Sequence, residues 1–452
     1  MFSGMASWFW ASDPDDKTSL VSDHLYYYYQ YDTKLLVRTE PDETSIKLYS
    51  VTDEEYVETI NFTDVLGVSV GEHEYHIHTC PRHQASLERV YRERILEPID
   101  ETINLSQVGT HPDWYDRLAS EMVNRKLLVI INPAGGSKNA AIEYDANVRR
   151  LFTYAGCDCD AYTTKFSGDA KQYIKSTQLD RYQQLLVLGG DGTVSEVVNG
   201  LLERSDSDET INRIPVSVIP VGSGNGLARS IIHEAKEEFC LMTAIYRAIK
   251  GGSIRVPLIE NRIGNRVYHS FLANGWGLPS DVDIESEFYR FIGSFRFTVG
   301  AIIRMINLRV YHGKIHYLPL GRVPDLKLYQ KDGIRTNKWK TLTSDTGFVL
   351  MWACNAPYVA EDMLVAPTMQ LGSERISLIL VRYPISRWEL FSMFLAIEKG
   401  GHIESPKVET YQALGLELDP VGGEKGCITI DGEQVEYGKL QSFVTDRRFK
   451  MI

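Results

Sequence analysis

The sequence predicts a parallel α/β domain followed by a mainly antiparallel β domain, with an extra β-rich module at the N-terminus. Three continuous apolar runs, at residues 127–132, 185–188 and 214–219, are typical of strands buried on both faces. A glycine-rich turn and then a helical pattern follow each run, and this repeat indicates parallel strands joined by helices. Beyond about residue 254, strand-like runs follow one another mostly without helices, which favours antiparallel pairing.

The N-terminal module spans residues 1–122. Short runs bounded by polar or glycine residues predict strands at 34–38, 46–51, 65–70 and 75–79, and a helix at 114–122. Strands followed by a helix that bears Trp114 suggest a pleckstrin-homology-like module, an analogy of fold alone. The aromatic residues at 8–10 open the module and fit either a partly buried terminal arm or a contact with a membrane surface.

The rest of the chain divides at about residue 262. In the α/β domain, residues 123–262, helical spacing predicts helices at 140–155, at 193–203 and from Leu227, and polar composition predicts a loop at 205–212. In the β domain, residues 263–452, strands are predicted at 266–273, 310–317, 347–354, 376–383 and 409–418, helices at 295–307 and 388–399, and a long polar loop at 321–346.

Composition and charge limit the function. Of the 452 residues, 43% are hydrophobic and 24% are charged, as expected of a chain that packs a large core. A net charge of −12 argues against a non-specific nucleic-acid binder. Six cysteines without a CxxC pair predict free thiols in a reducing compartment. With no secretory signal and no apolar stretch that could span a bilayer, we expect a soluble cytoplasmic protein whose membrane contact is peripheral.

Three glycine-rich turns follow the three apolar runs, at residues 132–137, 189–193 and 222–226. Each turn alone is more typical of tight-turn chemistry than of a binding loop. None matches a Walker loop or a dinucleotide fingerprint. Ligands bind at the carboxyl ends of parallel strands, and glycine turns at helix starts present backbone N–H groups to anions. Three such turns on one edge therefore predict a polyphosphate site.

Two carboxylates lie in or beside these turns. Asp191 is either a cap for the helix at 193–203 or a base held against the phosphate site. Glu196, in the first turn of the same helix, is either part of a solvated face or a group that organises metal or water. Phosphoryl transfer needs little more than anchored phosphates, a metal ion and an acceptor for the hydroxyl proton.

The motifs Asn132-Pro-Ala-Gly-Gly, Gly189-Gly-Asp-Gly-Thr and the segment 220–228 together resemble the catalytic domain shared by diacylglycerol, ceramide and sphingosine kinases. The segments 273–300, 394–401 and 430–433 resemble the sphingosine kinase branch of that family. The resemblance covers about residues 125–450 and omits the N-terminal module. It implies a two-lobed lipid kinase that uses ATP and Mg²⁺, with the nucleotide in the α/β domain and the lipid chain in the β domain.

The resemblance also implies roles for individual residues. Asp191 corresponds to the catalytic base that deprotonates the primary hydroxyl of the lipid. The residues that correspond to nucleotide contacts are Asn132, Pro133, Ala134, Thr164, Lys165, Gly168, Gly189, Gly190, Gly192, Thr193, Glu196, Gly222, Ser223, Gly224, Arg290, Arg296, Asp431, Gly432 and Glu433. Ala134 departs from the family, which often has arginine there, so a charge contact with the nucleotide is expected to be missing. No residue is assigned as a metal ligand.

For the lipid, the resemblance implies that Asp283, together with Gly190 and Asp191, binds the head group. Asp281 lies two residues away and competes for the role on spacing alone, and both acids could instead pair with Arg290 or Arg296. Apolar residues at 363–367 and 391–397 fit either an acyl pocket or ordinary core. The predicted substrate is sphingosine or a related sphingoid base. The alternatives are a ceramide or diacylglycerol kinase, an enzyme like NAD kinase, and a catalytically weak membrane-binding scaffold.

Overall fold

The structure is a computed structural model that describes most of the chain. The described residues are 25–30, 33–41, 44–50, 55–82, 88–98, 105, 111–120, 122–136, 138–286, 288–289, 295–421 and 426–452. Two predicted features, the aromatic residues at 8–10 and Arg290, lie outside them. The chain forms two compact units, one of Met1–Asn124 with Leu151–Cys157, and one of Arg125–Arg150 with Asp158–Ile452. The division of the second unit into nucleotide and lipid domains stays a prediction.

Up to residue 124, the described part of the first unit forms an antiparallel sheet and a helix. Its elements are β1 (Leu25–Gln30), β2 (Thr33–Pro41), β3 (Ser45–Ser50), β4 (Tyr56–Asn61), β5 (Val65–Val70), β6 (Tyr75–Thr79), β7 (Arg92–Pro98) and α1 (Asp113–Ser120). The strand order is β4-β3-β2-β1-β7-β6-β5. Trp114 on α1 is buried against Tyr26 and Tyr75, whose rings meet it nearly edge-on. The pleckstrin-homology-like assignment stays a prediction.

From residue 126 the chain alternates between strands and helices, all in the second unit except residues 151–157, which belong to the first. These are β8 (Lys126–Ile131), α2 (Ala140–Glu143), α3 (Arg149–Tyr154), β9 (Asp158–Thr163), α4 (Asp169–Ser176), β10 (Gln184–Gly189), α5 (Asp191–Leu202), α6 (Ser207–Arg213), β11 (Val216–Pro220), α7 (Gly226–Glu234) and α8 (Leu241–Lys250). A π-helical turn, Tyr144–Val148, joins α2 to α3. The four strands are parallel in the order β11-β10-β8-β9, which confirms the predicted parallel α/β architecture.

The remaining elements are mostly strands. They are β12 (Ile254–Ile263), β13 (Arg266–Ser270), β14 (Ala273–Gly277), α9 (Leu278–Glu285), α10 (Phe295–Ile306), β15 (Gly313–Pro319), α11 (Val323–Asp332), β16 (Lys340–Leu342), β17 (Phe348–Cys354), β18 (Ile376–Arg382), α12 (Arg387–Ile397), β19 (Val408–Pro420), β20 (Ile428–Ile430), β21 (Glu433–Val435) and β22 (Leu440–Met451). These strands pair with one another antiparallel, as predicted.

One continuous sheet links the two halves of the second unit. β22 pairs in parallel with β11 through Val216 and Met451, and it pairs antiparallel with β12 and β19. The parallel strands and the antiparallel strands therefore belong to the same sheet. The main path of this sheet has the strand order β21-β20-β14-β17-β18-β19-β22-β11-β10-β8-β9.

Two loop predictions are wrong. The polar stretch at 205–212 contains most of α6, whose Ser207, Thr210 and Ile211 are buried. The stretch at 321–346 contains α11 and β16. Both helices bury only a few side chains, so their sequences lack the apolar stripe that predicts a longer helix.

Some absences can be stated for the described part of the chain. All six cysteines lie within it, and none forms a disulfide, as the sequence predicts. No helix there combines the length and the apolar character that crossing a bilayer requires.

Candidate active site

The parallel strand order reverses between β8 and β10, and the turns after these strands are joined by Asn132. Its side-chain nitrogen donates to Thr193 Oγ1 at 2.8 Å, and its side-chain oxygen accepts from the backbone N–H of Ala134 at 3.0 Å. The backbone N–H of Asn132 donates to Leu188 O. Asn132 thus fixes the first turn, which includes Pro133, against the start of α5. Open α/β sheets bind ligands at such a reversal point.

The second and third turns meet backbone to backbone. A Cβ atom on Gly222 would lie 2.3 Å from Gly190 Cα, so no side chain fits at Gly222. Gly136 has φ +52°, and a Cβ atom there would lie 2.3 Å from Val221 O. Gly189, Gly192, Ser223 and Gly224 lie in the same two turns. Backbone therefore forms this edge where α5 and α7 begin, and the dipoles of both helices favour an anion there.

Asp191 is the first residue of α5, and its carboxylate faces the start of α7. Asp191 Oδ2 accepts from the Gly226 N–H at 2.8 Å, and Oδ1 accepts from the Leu227 N–H at 3.0 Å. Burial raises the pKa of Asp191 because the charged form is poorly solvated, although the two N–H donors oppose this effect. The pKa of a general base should lie closer to the working pH than that of an exposed aspartate does. Asp191 is therefore suited to accept a proton.

Asp431 reaches the same region from the hairpin of β20 and β21. Its carboxylate accepts the backbone N–H groups of Phe271, Leu272 and Ala273 at 2.9 to 3.0 Å. Burial raises the pKa of Asp431 to about 7, and the charge of Asp191 adds to the shift. The hairpin turn requires left-handed backbone, with φ +49° at Asp431 and φ +82° at Gly432.

Glu433 brings the hairpin close to the second glycine turn. Its Oε1 lies 3.6 Å from the point that a Cβ atom on Gly192 would occupy. Motifs far apart in sequence therefore lie together, as their predicted shared role requires. Arg296 is buried on α10, with its guanidinium carbon 4.4 Å from the ring centroid of Phe297. The predicted phosphate contacts of Arg296 and of Arg290 stay predictions.

Glu196 holds a neighbouring loop in place. Its two carboxylate oxygens accept the backbone N–H groups of Gly168 at 2.8 Å and Ala170 at 3.1 Å. In the same loop, Lys165 N–H donates to Asp169 Oδ2, and Thr164 N–H donates to Ile131 O. The predicted nucleotide contacts Thr164, Lys165 and Gly168 therefore lie in one loop at the carboxyl end of β9. Glu196 stabilises the start of α4, which follows this loop.

The two acids on α9 have different surroundings. Asp281 is 1% exposed and accepts from the hydroxyl of Tyr311 and from Arg309, while burial raises its pKa. Asp283 is half-buried, and its Oδ2 accepts from Thr429 Oγ1 at 3.3 Å. Asp281 thus belongs to the core, whereas Asp283 faces β20, which ends just before Asp431. This arrangement favours Asp283 over Asp281 for the head-group role.

A small apolar cavity of about 30 Å³ lies beside α9, between α10, α12 and the sheet. Leu278, Trp352, Met393 and Phe394 are among the residues that line it. His402 is its one ionisable side chain, and burial lowers the pKa of the imidazole. Three residues of the segment 391–397, Met393, Phe394 and Ile397, line the cavity, and the acyl-pocket role stays a prediction. Residues at 363–367 are absent from the lining.

Sequence reasoning missed the side chains that neighbour Asp283 and the cavity. Thr429 immediately precedes the Ile-Asp-Gly-Glu motif, and Ser280 immediately precedes Asp281. Both are buried polar residues beside predicted motifs, and this position is the only signal that could have found them. Trp352 and His402 come from strand and turn segments without any motif of their own.

Comparisons with known proteins place the chain among lipid kinases. A model of the diacylglycerol kinase catalytic domain matches residues 126–259. "Sphingosine kinase 1" of Homo sapiens is 32% identical over 353 residues, which cover 72% of this chain and 90% of that protein. "Sphingosine kinase 2" of Arabidopsis thaliana is 31% identical over 340 residues, which cover 70% of each.

More distant relatives agree. "Sphingoid long chain base kinase 4" of Schizosaccharomyces pombe is 27% identical over 329 residues, which cover 69% of this chain and 71% of that protein. A crystal structure of a putative diacylglycerol kinase from Bacillus anthracis shares the fold. It has a TM-score of 0.52 and 19% identity, and the match covers 73% of this chain and 97% of that chain.

Proposed function

The chain belongs to the sphingosine kinase family and is an ATP-using lipid kinase, and from this premise we propose that it phosphorylates the primary hydroxyl of a sphingoid base such as sphingosine. One observation carries the choice of substrate. Asp283, the acid suited to a cationic head group, hydrogen-bonds to Thr429, two residues before Asp431 on the hairpin that reaches the glycine turns. A carboxylate for the amine therefore lies near the groups that handle phosphate and proton.

In this proposal, Asp191 accepts the proton of the lipid hydroxyl as that oxygen attacks the γ-phosphorus of ATP. The bond from the γ-phosphorus to the bridging oxygen breaks, and ADP leaves. The raised pKa of Asp191 supports this role, because it strengthens the carboxylate as a base. The N–H donors of Gly226 and Leu227 keep the carboxylate in one orientation.

The glycine turns bind the phosphates of ATP in this proposal. Backbone N–H groups around Gly190 and Gly222 and the starts of α5 and α7 favour the negative charge. As the family resemblance implies, we propose that Arg290 and Arg296 add positive charge for the phosphates. Because Ala134 brings no charge to the first turn, these two arginines carry more of the charge compensation.

Mg²⁺ completes the proposed set of cofactors, and when bound with ATP it neutralises charge on the phosphates. No group of three or more potential ligands occurs among the described residues. Mg²⁺ commonly keeps several waters and needs only one or two carboxylates beside the substrate phosphates. The exposed carboxylate of Glu433, which lies near Gly192, fits that requirement.

Asp283 explains the proposed preference for an amino lipid. The amine of a sphingoid base is cationic near neutral pH, so it forms a charge-assisted hydrogen bond with a carboxylate. Ceramide has a neutral amide at that position, and diacylglycerol has no nitrogen there. Either lipid would leave Asp283 desolvated and without its cation, which is a penalty as well as a lost attraction.

In this proposal, the lipid chain enters at the small apolar cavity, where α10 and α12 must move apart to admit it. The enzyme collects the lipid from a membrane surface. The helices beside the cavity expose large apolar side chains: Phe295 and Ile306 on α10 are 62% and 66% exposed, and Trp388 and Leu395 on α12 are 74% and 62% exposed. With a net charge of −12, apolar contact explains membrane binding better than overall charge does. We therefore propose a cytoplasmic enzyme that is recruited peripherally to membranes.

The membrane proposal can be tested with Trp388→Ala combined with Leu395→Ala. Activity on vesicle-borne sphingosine should fall several-fold more than activity on detergent-dispersed sphingosine. Ile334→Ala, at a 55% exposed residue remote in sequence from both helices, is the control. Equal losses of activity on vesicle-borne and on detergent-dispersed sphingosine would contradict the proposed membrane contact. Deletion of residues 1–20 tests the competing contact at residues 8–10 in the same assay.

The proposed substrate is tested by a kinase assay with sphingosine, ceramide, diacylglycerol and NAD as acceptors. We expect sphingosine to have the highest kcat/KM by at least about tenfold, the scale of one hydrogen bond to a charged group. Faster phosphorylation of ceramide or diacylglycerol would contradict the sphingoid-base proposal and leave the lipid kinase assignment intact.

A further inference from the structure

Two buried hydroxyl groups adjoin the carboxylate of Asp283. Ser280 Oγ and Thr429 Oγ1 lie 3.0 Å apart, and Thr429 Oγ1 lies 3.3 Å from Asp283 Oδ2. Ser280 is completely buried, and Thr429 is 1% exposed. The three side chains come from α9 and β20, which lie far apart in sequence. They form a short hydrogen-bonded row from the core towards the proposed head-group site.

The neighbouring strand leaves room for this row. β14 lies between β17 and β20, and Gly275 of β14 is paired with Thr429. A Cβ atom on Gly275 would lie 2.7 Å from Thr429 Oγ1 and 3.0 Å from Ser280 Oγ. Any larger residue at this position would displace both hydroxyl groups, so the row depends on glycine there.

The chemistry of the three groups sets the direction of the hydrogen bonds. An ionised carboxylate can only accept, so Thr429 donates its single hydroxyl proton to Asp283. Thr429 can then only accept from Ser280, which donates its own proton. Each bond polarises the next one, so Ser280 strengthens the bond from Thr429 to the carboxylate.

We propose that Thr429, supported by Ser280, is a positioning residue that holds the carboxylate of Asp283 in the orientation that binds the ammonium group of the lipid. This inference rests on the proposed role of Asp283. Neither hydroxyl touches the reacting atoms. Without the Thr429 donor, Asp283 rotates away from the cation or takes a hydrogen bond elsewhere, and selection for amino lipids weakens.

The experiment compares Thr429→Val, which keeps the shape and removes the hydroxyl, with Thr429→Ser, which restores it. For Thr429→Val in the full-length chain, we expect KM for sphingosine to rise about 5- to 10-fold. Loss of a short hydrogen bond to a charged group would raise KM more, but the bond from Thr429 to Asp283 is 3.3 Å long and therefore weaker. KM for ATP should stay within about twofold. Thr429→Ser should recover most of the loss, and Ser280→Ala should give a smaller loss than Thr429→Val.

A matched control is Thr243→Val, which removes another completely buried hydroxyl, on α8. It should leave KM for sphingosine unchanged. Three outcomes for the Thr429 variants would overturn the inference: an unchanged KM for sphingosine in Thr429→Val, equal losses for sphingosine and ATP, or a Thr429→Ser variant as impaired as Thr429→Val. The second would show that Thr429 merely supports the hairpin that carries Asp431.

The double variant Asp283→Asn with Thr429→Val separates this inference from the proposed function. If Thr429 acts through Asp283, the double variant should be no worse with sphingosine than Asp283→Asn alone. Additive losses would overturn the positioning role. Should Asp283→Asn leave sphingosine turnover intact, the head-group proposal itself fails, and the positioning role falls with it. A loss in Asp283→Asn with none in Thr429→Val contradicts the positioning role alone.

Discussion

Two regions of the candidate site differ in what they are made of. At the carboxyl edge of the parallel strands, Gly190 and Gly222 meet backbone to backbone, and the surface offered to a ligand is mostly peptide N–H. Between α9 and β20, the group offered to a ligand is the half-buried side-chain carboxylate of Asp283, which the buried hydroxyl of Thr429 contacts. Phosphate is the same in every ATP molecule, so a fixed backbone site suffices for it. Lipids differ in their head groups, and side chains can select among them.

This difference predicts that the two regions respond differently to substitutions. The backbone region should tolerate many side-chain changes, but it should fail wherever a Cβ atom enters a glycine contact. The side-chain region should tolerate changes in shape better than changes in hydrogen bonding. Asp191 is the exception, since its side chain is the proposed base and lies within the backbone region.

The largest effect is expected at that exception. Asp191→Asn should lower kcat about 10²- to 10⁴-fold, the usual scale for losing a general base, while ATP binding persists. Circular dichroism verifies the fold, and Asp208→Asn, at an exposed residue paired with Arg447, is the matched control. Near-normal turnover in a folded Asp191→Asn protein would show that another group accepts the proton.

A Cβ atom in the backbone contact should have the next largest effect. Gly222→Ala places that atom 2.3 Å from Gly190 Cα, so the two turns must separate. We expect kcat/KM for ATP to fall by about 10²-fold, because displacements of about 1 Å cost that much in positioned reactions. Gly252→Ala is the control, since nothing lies within 4 Å of its Cβ position. If both variants use ATP equally well, the glycine contact is not needed.

The side-chain region is tested by the two acids of α9. Asp283→Asn should lower kcat/KM for sphingosine at least about tenfold relative to an N-acylated analogue, while ATP binding persists. Asp281→Asn should change this ratio less. It should mainly lower the free energy of unfolding, because Asp281 is paired with Arg309 and Tyr311 in the core. An unchanged ratio in Asp283→Asn would return the ceramide and diacylglycerol alternatives to consideration.

The smallest effect concerns Asp431 and pH. Its pKa is about 7 in the folded protein and 3.8 ordinarily, so between these values the folded state holds a proton that the unfolded chain has lost. This group therefore makes the free energy of unfolding decrease as pH rises through that window, by up to about 1.4 kcal/mol per pH unit, and the decrease ends above about pH 7. Asp431→Asn should remove that contribution.

Denaturant unfolding at pH 5, 6, 7 and 8 measures the difference. The wild-type protein should lose more stability than Asp431→Asn does between pH 5 and 7. Asp206→Asn is the control: Arg204 lowers the pKa of Asp206, so that group stays ionised throughout this range. Parallel pH dependences for wild type and Asp431→Asn would show that Asp431 is ionised in the folded protein.

The same contrast explains how much the sequence could predict. The glycine turns were predictable because backbone contacts need glycine at fixed places after buried strands, and these are local signals. β9 was missed because it lies at the sheet edge, where its residues alternate between partly buried and exposed and form no apolar run. The helix α11 buries only Leu326 and Tyr329 among its ten residues, so it has no apolar stripe to detect.

The side-chain region could be predicted only in part. Asp283 was found through the family resemblance, since spacing alone did not distinguish it from Asp281. Thr429 and His402 gain their positions from tertiary contacts, with α9 and with the apolar cavity respectively. Such contacts leave no periodic pattern in the sequence around them. The roles of the site residues stay predictions until the variants are measured.

The pairing of Val216 with Met451 has a consequence for biosynthesis. Chains emerge from the ribosome starting at the N-terminus, and domains generally fold as they emerge. The parallel strands that carry the glycine turns are made early, but β22, their neighbour in the sheet, is made only after every strand of the antiparallel half. Until then β11 has an unpaired edge, which is a template for wrong strand pairing. We therefore expect the nascent nucleotide half to depend on chaperones for much of its synthesis.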